Sequence, residues 1–258
     1  MTTPLQKALQ YTVQNDPCLQ GRTDYYTTDI TFLQLRNESL TTVPEEIKEL
    51  SNLETLDLTG NCLTELPEWI GTLTELKSLI VDRNCLETFP ISLPPNLTVL
   101  SLNNNRVSSF SSLLNTKLAR FRIAYNQLTS LPEFPFPSTL ETVDLSHNQI
   151  STLPDGLEKA ESLKLWIMTN NSLTSLPFSL AQLPLHRLVL NHNHFERFPE
   201  VIERMRLLVH LEIAHNQITE IPQSLQLRSL TINGNPCSLP MDTQIGYIDV
   251  RDCLSLRA

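Results

Sequence analysis

From Ile30 to its end, the chain repeats one short pattern of apolar and polar positions. The clearest copy runs from Leu53 to Pro67, with leucine at positions 1, 4, 6, 11 and 14 of the repeat, asparagine at position 9 and proline at position 15. Eleven copies begin at residues 30, 53, 76, 97, 118, 140, 163, 185, 208, 227 and 245, with spacings of 18 to 23 residues. Such regular repetition predicts one supersecondary element that is stacked many times.

Within each repeat, apolar positions 4 and 6 alternate with positions 3, 5 and 7, which is the periodicity of a strand with one buried face. Stacking would pair these strands in parallel about 4.8 Å apart, so eleven strands predict a sheet roughly 48 Å long. Trp166 and Met168 take positions 4 and 6 and are therefore predicted core residues. The asparagine at position 9 is expected to bond the backbone where the chain leaves the sheet. Residues 45–50, 155–161 and 200–205 predict short helices or 3₁₀ turns, and the other connections predict extended chain.

Both ends depart from the pattern, as terminal repeats do. Position 9 is Glu38 in the first repeat and Cys253 in the last. Residues 4–14 predict an amphipathic helix, N-capped by Thr3, that covers the first edge of the sheet. The predicted organisation is an N-terminal cap over residues 1–29, a solenoid over residues 30–235, and a C-terminal cap over residues 236–258 that includes the degenerate last repeat.

The pattern resembles the leucine-rich repeat (LRR) family over about 230 of the 258 residues. The phrasing of Asn61 to Leu73, N-x-L-x-x-L-P-x-x-[IL]-x-x-L, is similar to the intracellular subclass of plant Ras-group LRR proteins. Three linkers, residues 92–97, 134–140 and 221–225, instead resemble bacterial secreted LRR effectors of the IpaH and YopM group. The resemblance implies an α/β solenoid: a right-handed horseshoe with a parallel concave β-sheet of about 11 strands and a convex side of short helices, 3₁₀ turns and extended segments.

Composition narrows the function classes. The chain has 47 leucines and 19 asparagines, which the repeat requires, but only six glycines. Its 19 basic and 28 acidic side chains give a formal charge of −9, which disfavours a nucleic-acid partner because such partners are bound by clustered lysine and arginine. No P-loop or dinucleotide-binding glycine string occurs, and an open solenoid promises no closed pocket. We therefore expect no cofactor and no small-molecule substrate.

Targeting signals and cysteines bear on location. No run approaches 18 consecutive apolar residues, so no membrane contact is predicted, and residues 1–20 lack the apolar run of a signal peptide. The five cysteines are an odd number, scattered, and without a C-x-x-C motif. These features predict a reducing, cytoplasmic location. A bacterial effector that is delivered to the host cytosol would also lack an ordinary signal.

Positions 3, 5, 7 and 8 are expected to line the concave face, where the repeat does not fix residue identity. Arg120, Arg122 and Tyr125 share one repeat, and Leu165, Ile167 and Val189 form a predicted apolar island beside Arg187. Arginine and tyrosine around an apolar centre are typical of protein-binding hot spots. The face, at roughly 600 Å², approaches the ~800 Å² per partner of a standard interface. The alternative is that these positions vary freely and need no explanation. The predicted protein-binding residues are Arg120, Arg122, Tyr125, Asp144, Leu165, Ile167, Arg187, Val189, His210 and Glu212.

All six histidines lie between His147 and His215, and three of them occupy position 8. His192, His194 and His215 belong to adjacent repeats, so a zinc site or a pH-sensitive contact is conceivable. A simple preference for a polar residue beside the asparagine of position 9 explains them as well. The favoured hypothesis is a non-enzymatic, monomeric scaffold that binds a protein partner on its concave face. The alternative is the substrate-targeting LRR domain of a bacterial effector or larger enzyme whose catalytic part is not in this chain.

Overall fold

A computed structural model describes residues 29–88, 92–110, 113, 116–133, 136–237, 245–251 and 253. The chain divides into two compact units, residues 1–126 (unit 1) and residues 127–258 (unit 2). The predicted helix over residues 4–14 lies outside the described residues. Among the residues that are described, no helix is both long and apolar enough to cross a membrane.

The predicted parallel strands are confirmed, and each has three residues at positions 3 to 5 of its repeat. The described part of unit 1 has five strands that pair in chain order: β1 (Phe32–Gln34), β2 (Thr55–Asp57), β3 (Ser78–Ile80), β4 (Val99–Ser101) and β5 (Arg120–Arg122). The described part of unit 2 has six: β6 (Thr142–Asp144), β7 (Leu165–Ile167), β8 (Arg187–Val189), β9 (His210–Glu212), β10 (Ser229–Thr231) and β11 (Tyr247–Asp249).

Neighbouring repeats align position by position. Backbone N–H groups at position 6 donate to carbonyls at position 5 of the next repeat, as Leu35 does to Asp57 and Leu58 does to Ile80, both at 2.8 Å. The side chains of positions 4 and 6 are buried in the first ten repeats, and this includes Trp166 and Met168, as predicted. In the last repeat, Ile248 and Val250 are half-buried. Each buried side chain contributes about 1.5–3 kcal/mol when it leaves water, which no repeat achieves without its neighbours.

Asparagines at position 9 form a hydrogen-bonded ladder inside each unit. Asn84 Oδ1 accepts from the backbone N–H of Leu63 in the preceding repeat at 3.0 Å, and Asn84 Nδ2 donates to the carbonyls of Leu58 and Val81 at 3.0 and 3.2 Å. The carbonyl of Leu58 also accepts from Asn61 Nδ2 at 2.8 Å, so consecutive asparagines share acceptors. The same buried position is held by Asn61, Asn84, Asn105, Asn126, Asn148, Asn171, Asn193, Asn216 and Asn235.

The last described position 9 is Cys253, which takes over part of the asparagine's role. Its thiol donates to the carbonyl of Ile232 at 3.6 Å, where an asparagine amide would bond in earlier repeats. The Sγ atoms of Cys237 and Cys253 lie 3.4 Å apart, and both side chains are buried. Burial, followed by the hydrogen bond with Cys253, raises the pKa of Cys237 to about 12. The cysteines are therefore not all scattered, because these two meet at the end of unit 2.

The connections between strands are partly 3₁₀ helix. Short helices at Glu45–Glu49, Leu157–Lys159 and Glu200–Arg204 confirm the prediction. The prediction of extended chain was wrong at Glu68–Thr72 and Phe178–Gln182. In both, the proline at position 15 accepts at its carbonyl from the N–H three residues on, Ile70 or Leu180, whose buried side chain holds the turn against the core.

Candidate protein-binding face

The strand face of each unit is the surface formed by side chains at positions 3, 5, 7 and 8. At position 8 the backbone is left-handed: φ lies between 53° and 75° in each of the ten repeats where the structure describes this position. Glycine, asparagine and histidine tolerate this conformation better than other residues, and they fill eight of the ten positions. Arg83 and Tyr125 are the two exceptions. The backbone thus explains histidine at position 8, a cause that the sequence interpretation missed although the run of asparagine and glycine at this position signals it.

The arginines of β5 project from the strand face of unit 1. Arg120 and Arg122 are exposed, whereas the residue between them is buried. In the register with β4, Arg120 lies opposite Val99 and Arg122 opposite Ser101. Tyr125 follows on the same face and is 52% exposed. Among the described residues, neither guanidinium forms an ion pair. Three predicted site residues therefore lie together, and two of them, the arginines, have positive charges that no described carboxylate neutralises.

Elsewhere on this strand face, Arg36, Asp57 and Asp82 form hydrogen bonds with neighbouring residues. Arg36 Nε and Nη2 donate to Asp57 Oδ2 at 2.8 and 2.6 Å, and Asp57 is only 1% exposed. The hydrogen bond to Asp57 raises the pKa of Arg36, so the guanidinium stays charged. Asp82 Oδ1 accepts from Ser101 Oγ at 2.7 Å and from the backbone N–H of Asn103 at 2.8 Å. These carboxylates are therefore part of the fold rather than acid–base groups in a pocket.

The predicted apolar island lies in unit 2 and is smaller than expected. Leu165 and Ile167 are half-buried on β7. Val189 is only 6% exposed, because it lies between Ile167 and Glu212 in the register of β7, β8 and β9. Beneath this face the ring of Trp166 is buried. Apolar contact with a partner would therefore come mainly from Leu165 and Ile167.

Arg187, predicted to flank the apolar island, is part of an ion pair. Its Nε and Nη2 donate to Glu212 Oε1 at 3.1 and 2.5 Å, and Asn191 Nδ2 donates to Glu212 Oε2 at 3.2 Å. The exposed His210 lies opposite Arg187 in the register. On β6, Asp144 is half-buried, and its Oδ1 accepts from the backbone N–H of Ser146, two residues on, at 3.0 Å. The charge of Arg187 is thus compensated within the unit by Glu212, whereas the described partner of the Asp144 carboxylate is the neutral Ser146.

Two of the three histidines of position 8 stack on unit 2. The rings of His192 and His215 are 4.3 Å apart and inclined by 12°. His147 Nε2 lies 3.1 Å from Asn170 Nδ2. Burial, and then the charge of His215, lowers the pKa of His192. Among the residues that the structure describes, no group of three His, Cys, Asp or Glu side chains could hold a metal ion, so His192, His194 and His215 do not converge on a metal site.

A cleft that the sequence did not predict lies away from the strand face of unit 2. It has a volume of about 610 Å³ and is lined by residues 174–176, 178, 194 and 196–201. Phe178, 57% exposed, lies on its wall with the guanidinium of Arg204 5.1 Å from the ring centroid. The cleft is open and contains none of the predicted protein-binding residues.

Comparisons with known proteins agree with the repeat pattern. A family model described as a leucine-rich repeat region matches residues 28–122, and a second, described as a leucine-rich repeat, matches residues 139–160. Podocan-like protein 1 of Mus musculus is 41% identical over 75 residues, which cover 26% of this chain and 13% of the mouse protein. The matched segment is therefore a small part of that relative.

Two solved structures extend the similarity to almost the whole chain. YopM, described as a leucine-rich effector protein from Yersinia pestis, matches with a TM-score of 0.74 and 28% identity over 96% of this chain and 64% of YopM. An LRR protein of Leptospira interrogans matches with a TM-score of 0.67 and 24% identity over 94% of this chain and 80% of that protein. At 24% identity, the second likeness concerns the fold alone.

Proposed function

Because the chain is a leucine-rich repeat protein, we propose that it is a non-catalytic scaffold that binds a protein partner on its strand face, the surface predicted to be concave. It needs no cofactor for this role. The LRR architecture explains how such a surface is held, whereas the identity of the partner depends on the side chains displayed.

The observation that carries the proposal is that, within each strand, the side chain of position 4 packs in the core while those of positions 3 and 5 face outward. On β7, Trp166 at position 4 is buried, while Leu165 and Ile167 at positions 3 and 5 remain half-exposed. On β5, the same alternation leaves Arg120 and Arg122 in solvent. Side chains that do not hold the fold are thus presented on hydrogen-bonded strands, which fix their positions for recognition.

Affinity capture with matched variants tests the proposal. Immobilised wild-type protein, Ile167→Asp and Arg122→Glu are each incubated with lysate of the native cell, and bound proteins are quantified by mass spectrometry. Leu207→Asp and Arg206→Glu are the controls, since both residues are exposed and lie outside the strand face. We expect a partner that is retained by both controls and lost with Ile167→Asp or Arg122→Glu. Retention of every captured protein by both strand-face variants would overturn the proposal.

A second candidate function is the targeting domain of a bacterial effector or larger enzyme. It is favoured by the 28% identity with YopM over 96% of this chain. Under either function we propose a cytosolic location, which would be the host cytosol for an effector. Fractionation of source and host cells with an antibody against the chain tests the location, and recovery only from the extracellular medium would exclude it.

A further inference from the structure

The strand face of unit 1 differs in charge from the rest of the protein. Although the whole chain has a net charge of −9, this face has four arginines and two carboxylates, Arg36, Arg83, Arg120, Arg122, Asp57 and Asp82. The ion pair of Arg36 with Asp57 neutralises one arginine. The bonds that Asp82 receives from Ser101 and Asn103 leave its carboxylate engaged with the fold. Of the three arginines that form no ion pair among the described residues, Arg120 and Arg122 lie together on β5, whereas Arg83 is a single charge next to Asp82.

The strand face of unit 2 offers no comparable charge among its described residues. Arg187 is paired with Glu212, and Arg251 Nη2 donates to Asp249 Oδ2 at 2.7 Å. The remaining charged side chain on this described face is Asp144. An anionic group would consequently find its free cations at β5 and not on unit 2.

Building on the proposed function, we propose that β5 docks an extended acidic segment of the protein partner. Arg120 and Arg122 are separated by one residue on the same face of a strand, so their Cα atoms are about 7 Å apart. An extended peptide places alternate side chains on one face at the same spacing. Carboxylates at alternate positions of the partner would therefore each meet one guanidinium, and arginine binds carboxylates through paired N–H donors.

Tyr125 supplies a second, independent reason to locate recognition here. Its φ of 57° lies in the left-handed region, where a bulky aromatic residue is strained. The side chain is nonetheless 52% exposed, so the core does not require its full size. A rigid aromatic ring beside two arginines is the composition of a binding hot spot. The ring would cover the backbone of the docked segment while the arginines hold its carboxylates.

The same features favour an acidic peptide over a nucleic acid. Binding to a phosphate backbone gains its free energy from many lysine and arginine contacts. Here the patch has only the two arginines of β5, on a chain with a net charge of −9, which repels a long polyanion beyond the immediate contact. A short segment with a few carboxylates fits the patch without that penalty.

Selection from a displayed library of random linear peptides tests this inference. Wild-type protein is panned, and the enriched peptides are then assayed by fluorescence anisotropy against Arg120→Gln/Arg122→Gln. The matched control is Arg206→Gln/Arg228→Gln, which removes the same charge from exposed positions outside the strand face. We expect aspartate and glutamate to be enriched at alternate positions of the selected peptides. These peptides should bind the β5 variant at least about tenfold more weakly than wild type, because charge-assisted hydrogen bonds are lost. Their affinity for the control should stay within about twofold of wild type. Circular dichroism verifies that each variant is folded.

Each other outcome has a defined meaning. Enriched peptides that are apolar or basic, or that bind the β5 variant as well as the control, would overturn the acidic-segment inference. Displacement of the peptides by a single-stranded DNA oligonucleotide, with the same dependence on Arg120 and Arg122, would replace it with a nucleic-acid site. A captured partner that is lost with Ile167→Asp but retained with Arg122→Glu would refute the acidic segment and leave the proposed scaffold function intact.

Discussion

The asparagine ladder can be tested by removing one internal step, Asn193→Ala. Asn193 is 4% exposed, its Oδ1 accepts from the N–H of Leu173, and its Nδ2 donates to the carbonyls of Met168 and Leu190, all at 3.0 Å. The two carbonyls keep a second donor, because Asn171 bonds Met168 at 3.2 Å and the following asparagine of the ladder bonds Leu190 at 3.1 Å. The N–H of Leu173, in contrast, has no second acceptor among the described contacts.

The magnitude follows from this difference. A buried N–H that loses its partner costs about 1–3 kcal/mol, and each of the two weakened carbonyls loses about 0.5–1 kcal/mol of net hydrogen bonding. Asn193→Ala should therefore destabilise unit 2 by about 2–5 kcal/mol. Asn193→Asp separates the two roles: it keeps the acceptor for Leu173 but turns a carboxylate oxygen toward the two carbonyls, so we expect it to be destabilising at neutral pH as well.

Urea denaturation with tryptophan fluorescence measures the effect in the correct unit. Trp69 and Trp166 are the two tryptophans, one in each unit, so a Trp69→Phe background makes the buried Trp166 the reporter of unit 2. At a urea dependence of about 2 kcal/mol per molar, the midpoint for Asn193→Ala should fall by roughly 1–2.5 M. Gln217→Ala, at an exposed position, is the control. A loss below about 1 kcal/mol for Asn193→Ala would refute the reasoning, because it would mean that water replaces the ladder.

Three further predictions concern unit 2. Gly234→Ala should destabilise by about 1–2 kcal/mol in the same urea assay, because φ is +69° and a Cβ would lie 2.4 Å from His215 Nδ1. Oxidation with glutathione disulfide should join Cys237 to Cys253 with loss of two hydrogens and stabilise the chain by about 3 kcal/mol for a loop of this length, as measured by mass spectrometry and urea. The pKa of His192 is lowered by burial and then by His215, so the folded chain binds its proton less readily than the unfolded chain. The free energy of unfolding should therefore be highest above about pH 6.5, and this contribution should be lost as the pH falls toward the folded pKa. His192→Asn should flatten this dependence of stability on pH.

These predictions have internal controls. Cys62 is an exposed thiol, so iodoacetamide should alkylate it long before Cys237, whose raised pKa leaves little thiolate. Equal rates would contradict the burial of Cys237. His215→Asn should recover part of the stability lost in Gly234→Ala, and no recovery would show that the left-handed backbone, not the histidine ring, is the cause. An unchanged slope of stability against pH for His192→Asn would refute the assigned titration.

Much of the fold could be predicted from sequence because equal positions of neighbouring repeats lie side by side in the sheet. Every copy places apolar residues at positions 4 and 6, and every copy except the first and the last places asparagine at position 9, so strands and ladder follow from alignment alone. The same alignment shows asparagine and glycine recurring at position 8, which indicates a left-handed backbone there. This signal was missed because only the polarity of these side chains was considered. Register also places position 11 of one repeat beside position 9 of the next, as Leu63 and Asn84 illustrate. Cys237 and Cys253 occupy those two positions, so their contact was implied and overlooked.

The candidate site could be predicted only in part, since register gives neighbours but not side-chain partners. The sequence placed Arg187 beside an apolar island, yet it could not decide whether the guanidinium would turn to Glu212, which depends on rotamers and on the amide of Asn191. Nor could it anticipate that Val189 would be covered, because burial on a half-exposed face depends on the size of its two neighbours. The arginines of β5 were predicted, but that they remain free of ion pairs among the described residues is a structural observation.

Stability and recognition are consequently assigned to different positions of the same repeat. A change at position 9, such as Asn193→Ala, removes buried hydrogen bonds and should lower the free energy of unfolding without touching the strand face. A change at positions 3 and 5 of β5, such as Arg120→Gln/Arg122→Gln, removes no described contact and should alter stability by no more than about 0.5 kcal/mol. If recognition required the ladder to deform, the two classes of variant would be coupled. Additive effects on unfolding, with peptide binding lost only in the β5 variant, are expected because hydrogen bonds hold each strand in place whether or not a partner is bound.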